Sequence, residues 1–281
     1  KVQSIGYYRQ ATEHNPALLA SWNELHKFSL ESNNQLSAKH ALEKIEHLKS
    51  LPKILLHVNQ ILNEGNIKEA EKKCREFLSV NPTNTHAMTL LSDIASRLGH
   101  LNDAEFLLES AVKLNPKDPE IRKKYLLILR KRQKFTKTME QADILIEQFP
   151  HNLSFQAQKA IEVMQNGDHE ESIRLLDKIL KKAPLDPNTL TAKGHAEKTL
   201  GKTDDAIKSY QTAYNSKHDH GEAYFSLANL KTYKFDDEEI EQMKNQLKRV
   251  DISISDRTYF HFALAQACED MGNYDEAFSQ L

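Results

Sequence analysis

The strongest concentration of charge in the sequence is a basic cluster between residues 122 and 137. Its members, with no acidic residue among them, are Arg122, Lys123, Lys124, Arg130, Lys131, Arg132, Lys134 and Lys137. Lysine and arginine form charge-assisted hydrogen bonds with carboxylate, phosphate and sulfate groups. The cluster could therefore bind an acidic peptide or a sulfated or phosphorylated ligand. The alternative is a solvated helix face whose charge is balanced by acidic side chains of neighbouring segments.

The 13 histidine residues raise the question of a metal site. None lies in an HExxH motif or has a second histidine four positions away, and the densest group is His218-Asp219-His220. We predict no metal site and interpret this group as a solvated turn. Cys74 and Cys268 lie far apart at apolar helix positions, which predicts buried, unreactive thiols and a reducing, cytoplasmic location.

The composition and the glycine spacing argue against an enzyme and against a nucleic-acid or membrane ligand. The net charge is -2 and the pI is about 6.7, so no overall field favours nucleic acid or a membrane surface. No glycine lies closer than seven residues to the next, whereas a phosphate-binding loop needs clustered glycines. We predict no catalytic residue and no bound cofactor in this chain.

The elements that position these side chains repeat every 34 residues. Proline recurs at that period at Pro82, Pro116, Pro150 and Pro184, and glycine at Gly65, Gly99, Gly167 and Gly201. The glycine slot between Gly99 and Gly167 holds Gln133. Five residues after each of these slots stands a small residue, which permits close helix packing: Ala70, Ala104, Thr138, Ser172 and Ala206. Apolar residues at helical spacing on both sides of each glycine slot predict two antiparallel helices per repeat.

This pattern is identified as the tetratricopeptide repeat signature, which implies an all-α fold, a right-handed superhelix of helix–turn–helix repeats. The strict units are Leu51–Asn84, Thr85–Asp118, Pro119–Asn152, Leu153–Asp186 and Pro187–His220. We predict a regular array over residues 1–220, with its first repeat truncated, and degenerate units over residues 221–281.

In tetratricopeptide proteins the first helices of successive repeats line a concave face. The resemblance therefore implies a groove that binds a protein or peptide partner, and the basic cluster favours an acidic one. At the groove positions of the family stand Asn59, Arg97, Lys123, Leu127, Arg130, Lys131, Ile161, His195, Phe225 and Asn229.

Two segments near the C terminus carry a more specific resemblance. YFSLANLKTYKFDDEEIEQM (residues 224–243) and DRTYFHFALAQACEDMGNYDEAF (residues 256–278) resemble the segment that precedes the catalytic domain in bacterial proteins joining tetratricopeptide repeats to a sulfotransferase. The resemblance implies that this chain is the non-catalytic arm of an enzyme using 3′-phosphoadenosine-5′-phosphosulfate (PAPS), whose catalytic domain would follow Leu281. The arm would recruit or orient a polypeptide partner, or mainly pack on the catalytic domain. The other possibility is a stand-alone adaptor with no attached enzyme.

Overall fold

The computed structural model describes the backbone of residues 2–280 and the side chains of residues 6–280. This part of the chain contains seventeen α-helices and no strand. The helices are α1 (Val2–His14), α2 (Leu19–Glu31), α3 (Gln35–Ser50), α4 (Lys53–Asn63), α5 (Ile67–Val80), α6 (Thr85–Arg97), α7 (Leu101–Leu114), α8 (Pro119–Lys131), α9 (Phe135–Gln148), α10 (Leu153–Gln165), α11 (His169–Leu180), α12 (Pro187–Thr199), α13 (Thr203–Ser216), α14 (Gly221–Ala228), α15 (Asp237–Leu247), α16 (Ile254–Asp270) and α17 (Tyr274–Gln280). The predicted all-helical fold is confirmed.

Four successive first helices, α6, α8, α10 and α12, each begin at a side chain that caps them. Asp118 accepts hydrogen bonds from the backbone N–H groups of Glu120 (2.9 Å) and Ile121 (3.2 Å), and Asp186 accepts one from Thr189 (2.8 Å). Each aspartate precedes a proline whose missing N–H would have had no helical partner anyway. These caps fix the starts of α8 and α12.

The turn between the two helices of a repeat requires one residue with a positive φ. Gly99 has a φ of 81°, and at the corresponding slot Gln133 has a φ of 58°. In both turns the next residue donates its backbone N–H to a carbonyl five residues earlier, His100 to Ala95 (2.8 Å) and Lys134 to Leu129 (3.0 Å). The closed turn thus imposes the left-handed conformation on Gln133 although its side chain disfavours it.

The chain divides into two compact units, an N-terminal unit (Lys1–Pro150) and a C-terminal unit (His151–Leu281). Within each unit the small residues predicted at the helix contacts are buried: Ala70, Ala104 and Thr138 in the first, Ser172 and Ala206 in the second. The repeats lose their regularity in the sequence after residue 220, which predicts a boundary there. That boundary is not the one between the two compact units, and it stays a prediction.

The C-terminal unit has a core rich in aromatic residues. Tyr224 of α14 stacks on Tyr214 of α13, with ring centroids 4.4 Å apart, and lies 5.3 Å from the Phe260 ring of α16. Of the helices in the described part of the chain, none has the length and apolar content that crossing a bilayer would demand.

Candidate functional site

A pocket of about 330 Å³ lies in the C-terminal unit between α12, α14 and α16. We call it the α14 pocket, and its lining is His195, Lys198, Glu222, Phe225, Ser226, Asn229 and Tyr259. Three residues predicted at the groove, His195, Phe225 and Asn229, meet here although they come from two successive repeats. The structure therefore brings this subset of the predicted site together.

His195 is held between two side chains at the base of the α14 pocket. Its Nδ1 atom lies 2.9 Å from the Tyr210 hydroxyl, and its Nε2 atom lies 3.6 Å from Oε1 of Glu222. The hydrogen bond and charge of His195 lower the pKa of Glu222. Burial raises the pKa of Tyr210, whose hydroxyl therefore remains protonated at neutral pH. These contacts orient the imidazole and make His195 a fixed polar wall of the pocket.

Two aromatic side chains, Phe225 and Tyr259, line the α14 pocket, and the exposed Phe262 ring lies beside Phe225. The Phe225 ring lies 5.2 Å from Tyr259 and 5.9 Å from Phe262, and Phe262 is 47% exposed. At the rim, the Lys198 ammonium group lies 3.4 Å from the backbone oxygen of Asn229, and both residues are exposed. An apolar wall next to exposed hydrogen-bond donors suits a polypeptide segment, since such a segment offers side chains and carbonyl oxygens together.

A second and larger pocket, of about 770 Å³, lies in the N-terminal unit. We call it the α3–α8 groove, because the two helices contribute to its opposite sides, with α4 and α6 between them. Asn59 and Lys123, two further residues predicted at the groove, line it. Its lining is Pro16, Ala17, His40, Glu43, Lys44, His47, Leu48, Leu51, Leu55, Asn59, His86, Thr89, Leu90, Asp93, Glu120, Lys123 and Lys124.

The basic cluster is largely engaged in structural contacts. Arg122 is 4% exposed and donates to the Pro116 carbonyl (2.7 Å) and to Oε1 of Gln141 (2.5 Å). Arg132 and Lys134 both pair with Glu105 of α7, the latter at 2.6 Å. These contacts agree with the interpretation that acidic side chains of neighbouring repeats balance part of the cluster.

Two lysines of the cluster are paired at the rim of the α3–α8 groove. Nζ of Lys124 lies 2.5 Å from Oδ2 of Asp93 in the preceding repeat. Lys123 contacts Glu120 of its own helix at 3.2 Å. Because both pairs are partly exposed, they remain accessible to a competing anion.

The remaining predicted groove residues line neither of these two pockets. Lys131 donates to the Ser96 hydroxyl (3.0 Å), and Ile161 packs against the apolar cluster around Leu176. The other three differ in exposure: Arg97 is exposed, Leu127 is 44% exposed and Arg130 is half-buried. Their assignment to a binding surface stays a prediction.

The structure contradicts one prediction about the histidines and confirms one about the cysteines. The predicted solvated turn at residues 218–220 is wrong for His220, which is 5% exposed with its Nε2 atom 2.8 Å from the Thr191 hydroxyl. Both cysteines are buried as predicted, and burial raises the pKa of Cys74 to about 11. Within residues 6–280, no group of three or more His, Cys, Asp or Glu side chains is placed to hold a metal ion.

Sequence comparison identifies the repeats directly. Residues 62–125 match a sequence model of the tetratricopeptide repeat. Residues 131–243 match the model described as Psidin, N-terminal TPR repeats region. The chain is built from tetratricopeptide repeats. A comparison with curated proteins gives no significant match.

Solved structures similar to this tetratricopeptide array share its fold. A tetratricopeptide repeat protein from Parabacteroides merdae is 16% identical with a TM-score of 0.59, over 89% of this chain and 98% of that protein. A double mutant of MamA RS-1 is 12% identical with a TM-score of 0.50, over 59% of this chain and 93% of that one. YrrB, described as a TPR protein with an unusual peptide-binding site, is 12% identical with a TM-score of 0.48, over 64% of this chain and 91% of that one. At these identities the likeness concerns the fold alone.

Several residues of the two pockets escape prediction from the repeat register. His40 and His47 belong to α3, a second helix, whereas the family rule counts only first helices. Tyr259 differs from them, because it lies on α16 and stands 34 residues after Phe225, so the repeat register could have located it. A rule restricted to first helices cannot find His40 and His47.

Proposed function

We propose that this chain is a protein-interaction scaffold that binds a polypeptide segment at the α14 pocket. The observation that carries the proposal is the convergence of His195, Phe225 and Asn229 on one opening. Binding sites in proteins combine apolar surface with placed polar groups, and this pocket sets the Phe225 and Tyr259 rings among polar side chains such as His195.

The pocket offers two kinds of contact to a peptide. The Phe225, Tyr259 and Phe262 rings would bury an apolar or aromatic side chain of the partner. The Lys198 ammonium group and the Asn229 amide would donate hydrogen bonds to its carbonyl or carboxylate oxygens. We assign orientation of the peptide to these donors and most of the affinity to the rings.

The test is a peptide library displayed on phage and selected against the full chain. The affinity of a selected peptide is then measured by isothermal titration calorimetry for the original protein and for Phe225→Ala and Tyr259→Ala. We expect at least tenfold weaker binding by both variants, since truncating a central aromatic anchor costs about 2 kcal/mol. Phe106→Ala serves as the control because Phe106 is an exposed phenylalanine of the N-terminal unit. Equal binding by all four proteins would refute the assignment of the pocket.

We also propose that the partner is acidic and contacts the exposed part of the basic cluster. The support is the position of Arg97, Lys131 and the half-buried Arg130 on the surfaces of α6 and α8. Reversing Arg130 and Lys131 to glutamate should weaken partner binding and reduce its salt dependence. Unchanged affinity and unchanged salt dependence would leave these side chains as ordinary surface.

We propose further that the chain is the interaction arm of a bacterial, cytoplasmic, PAPS-dependent sulfotransferase. The support is the sequence resemblance of residues 224–278, and the alternative is a stand-alone adaptor. The test is to read the gene beyond the codon for Leu281 and to assay the longer protein for binding of 3′-phosphoadenosine-5′-phosphate. A glycine-containing phosphate loop together with such binding is the expected result. A stop codon soon after one more helix would establish the adaptor.

A further inference from the structure

The α3–α8 groove contains three histidine side chains, His40 and His47 on α3 and His86 on α6. The rings of His47 and His86 lie 5.4 Å apart edge to face, although a complete repeat, α4 and α5, separates α3 from α6 in the sequence. All three histidines are exposed, so they can exchange protons with solvent and reach a ligand. No other part of the site described above concentrates histidine in this way.

The fixed charges of the groove cancel at neutral pH. Its lining carries three lysines, Lys44, Lys123 and Lys124, and three acids, Glu43, Asp93 and Glu120. On its other side His40 faces Arg9 and Glu13 of α1, which also cancel. Asp118, outside the lining, acts on His47 in the direction opposite to that of Lys44 and Lys124. The histidines therefore decide the net charge, which rises from zero to as much as +3 when all three are protonated.

We propose that the α3–α8 groove docks an acidic polypeptide segment, and that protonation of His40, His47 and His86 strengthens this docking. The proposal concerns the N-terminal unit and does not rest on the α14 pocket. Charge complementarity identifies the ligand, because a groove that becomes positive selects an anionic partner.

A polypeptide fits this groove better than a nucleic acid does. The acids Glu43, Asp93 and Glu120 would repel the closely spaced phosphates of a nucleic acid, whereas separated carboxylates can avoid them. Leu48, Leu55 and Leu90 close the floor of the groove but are buried in the core, so charged and histidine side chains supply most of the surface that a ligand would contact. A segment of well-spaced acidic residues complements this lining.

A bound anion would change the protonation of His47. Partial burial of the ring, the neighbouring His86 and nearby lysines lower the pKa of His47 in the free protein. A peptide carboxylate at this position would reverse part of that effect, since an opposite charge favours the protonated imidazole. Binding should consequently be accompanied by proton uptake.

The experiment uses fluorescein-labelled oligoglutamate and the full chain, with fluorescence polarisation at about pH 7.5 and about pH 5.8 and constant ionic strength. Up to three added charges at several ångströms in water predict tighter binding at the lower pH, by as much as roughly tenfold. The double variant His47→Gln/His86→Gln should lose most of this gain. His57→Gln is the matched control, because His57 is an exposed histidine of the same unit that lies outside the groove lining.

Calorimetry in two buffers of different ionisation enthalpy then measures the proton uptake, which the double variant should also lose. The proposal is overturned if oligoglutamate does not bind, if its affinity does not change with pH, or if the double variant keeps the full gain. Oligouridylate of equal charge is the competing probe. Equal or tighter binding of oligouridylate with the same dependence on His47 and His86 would assign the groove to nucleic acid and also overturn the proposal.

Discussion

Replacing Glu105 with glutamine should destabilise the fold more than any other neutralisation on α7. Glu105 is 5% exposed and is the shared partner of Arg132 and Lys134 from the following repeat. Burial alone would raise the pKa of this carboxyl group, but the two cations lower it overall. Glutamine keeps the shape of the side chain and leaves two basic groups facing each other without an anion.

The magnitude follows from the burial of the partners. Removing one member of a fully buried ion pair costs about 3–5 kcal/mol. The side chains of Arg132 and Lys134 are 24% and 35% exposed, so water compensates part of this loss. We expect the free energy of unfolding to fall by about 2 kcal/mol. The control is Glu109→Gln on the same helix, where the exposed pair with Lys113 (3.1 Å) should be worth under about 0.5 kcal/mol.

The assay is urea unfolding followed by far-ultraviolet circular dichroism, at neutral pH and at acidic pH. Because the pKa of Glu105 is lowered by folding, its contribution is present above the ordinary carboxyl pKa and disappears as the pH falls through the folded value. The difference between the original protein and Glu105→Gln should therefore shrink in acid. An effect of Glu105→Gln no larger than that of Glu109→Gln would refute the reasoning.

Three further predictions concern the turn, the helix packing and the buried histidine. Gln133→Gly should raise the free energy of unfolding by about 0.5–1 kcal/mol in urea titration, because it relieves a positive φ; an unchanged midpoint would contradict this. Gly194→Ala should destabilise by about 2 kcal/mol in the same assay, since its new Cβ atom would overlap the buried Tyr210 ring, and a neutral result would show that the ring can move. Burial lowers the pKa of His220, so the free energy of unfolding should decline as the pH falls from the ordinary histidine pKa to the pKa of His220 in the folded protein. His220→Gln should flatten this pH dependence in thermal melts. An unchanged pH dependence would contradict the prediction.

The helices and turns could be predicted from the sequence because they depend on local order. Apolar spacing, capping aspartates and the glycine period locate α6 to α13 within a few residues of the observed bounds. The left-handed conformation of Gln133 follows from its slot in the turn rather than from its residue type. In the same way the repeat register identified His195, Phe225 and Asn229, which the structure brings to one pocket.

Several features of the candidate sites could be known only from the tertiary structure. The separation in sequence between Glu105 and its partners is 27 and 29 residues, and no periodic pattern links them. His47 and His86 likewise meet although the repeat formed by α4 and α5 lies between them in the sequence. Tyr259 contributes to the α14 pocket because α16 packs against α14.

The sequence by itself determined the repeating helices of this protein, because hydrophobic period and turn chemistry act over a few residues. The tertiary structure decided which charges are balanced and which remain available to a ligand. That outcome depends on distances of a few ångströms between side chains of different repeats, where Coulomb energy and solvent exposure change steeply. Arg122 shows the difference most clearly: in the sequence it belongs to a basic cluster, and in the fold it is buried against Pro116 and Gln141.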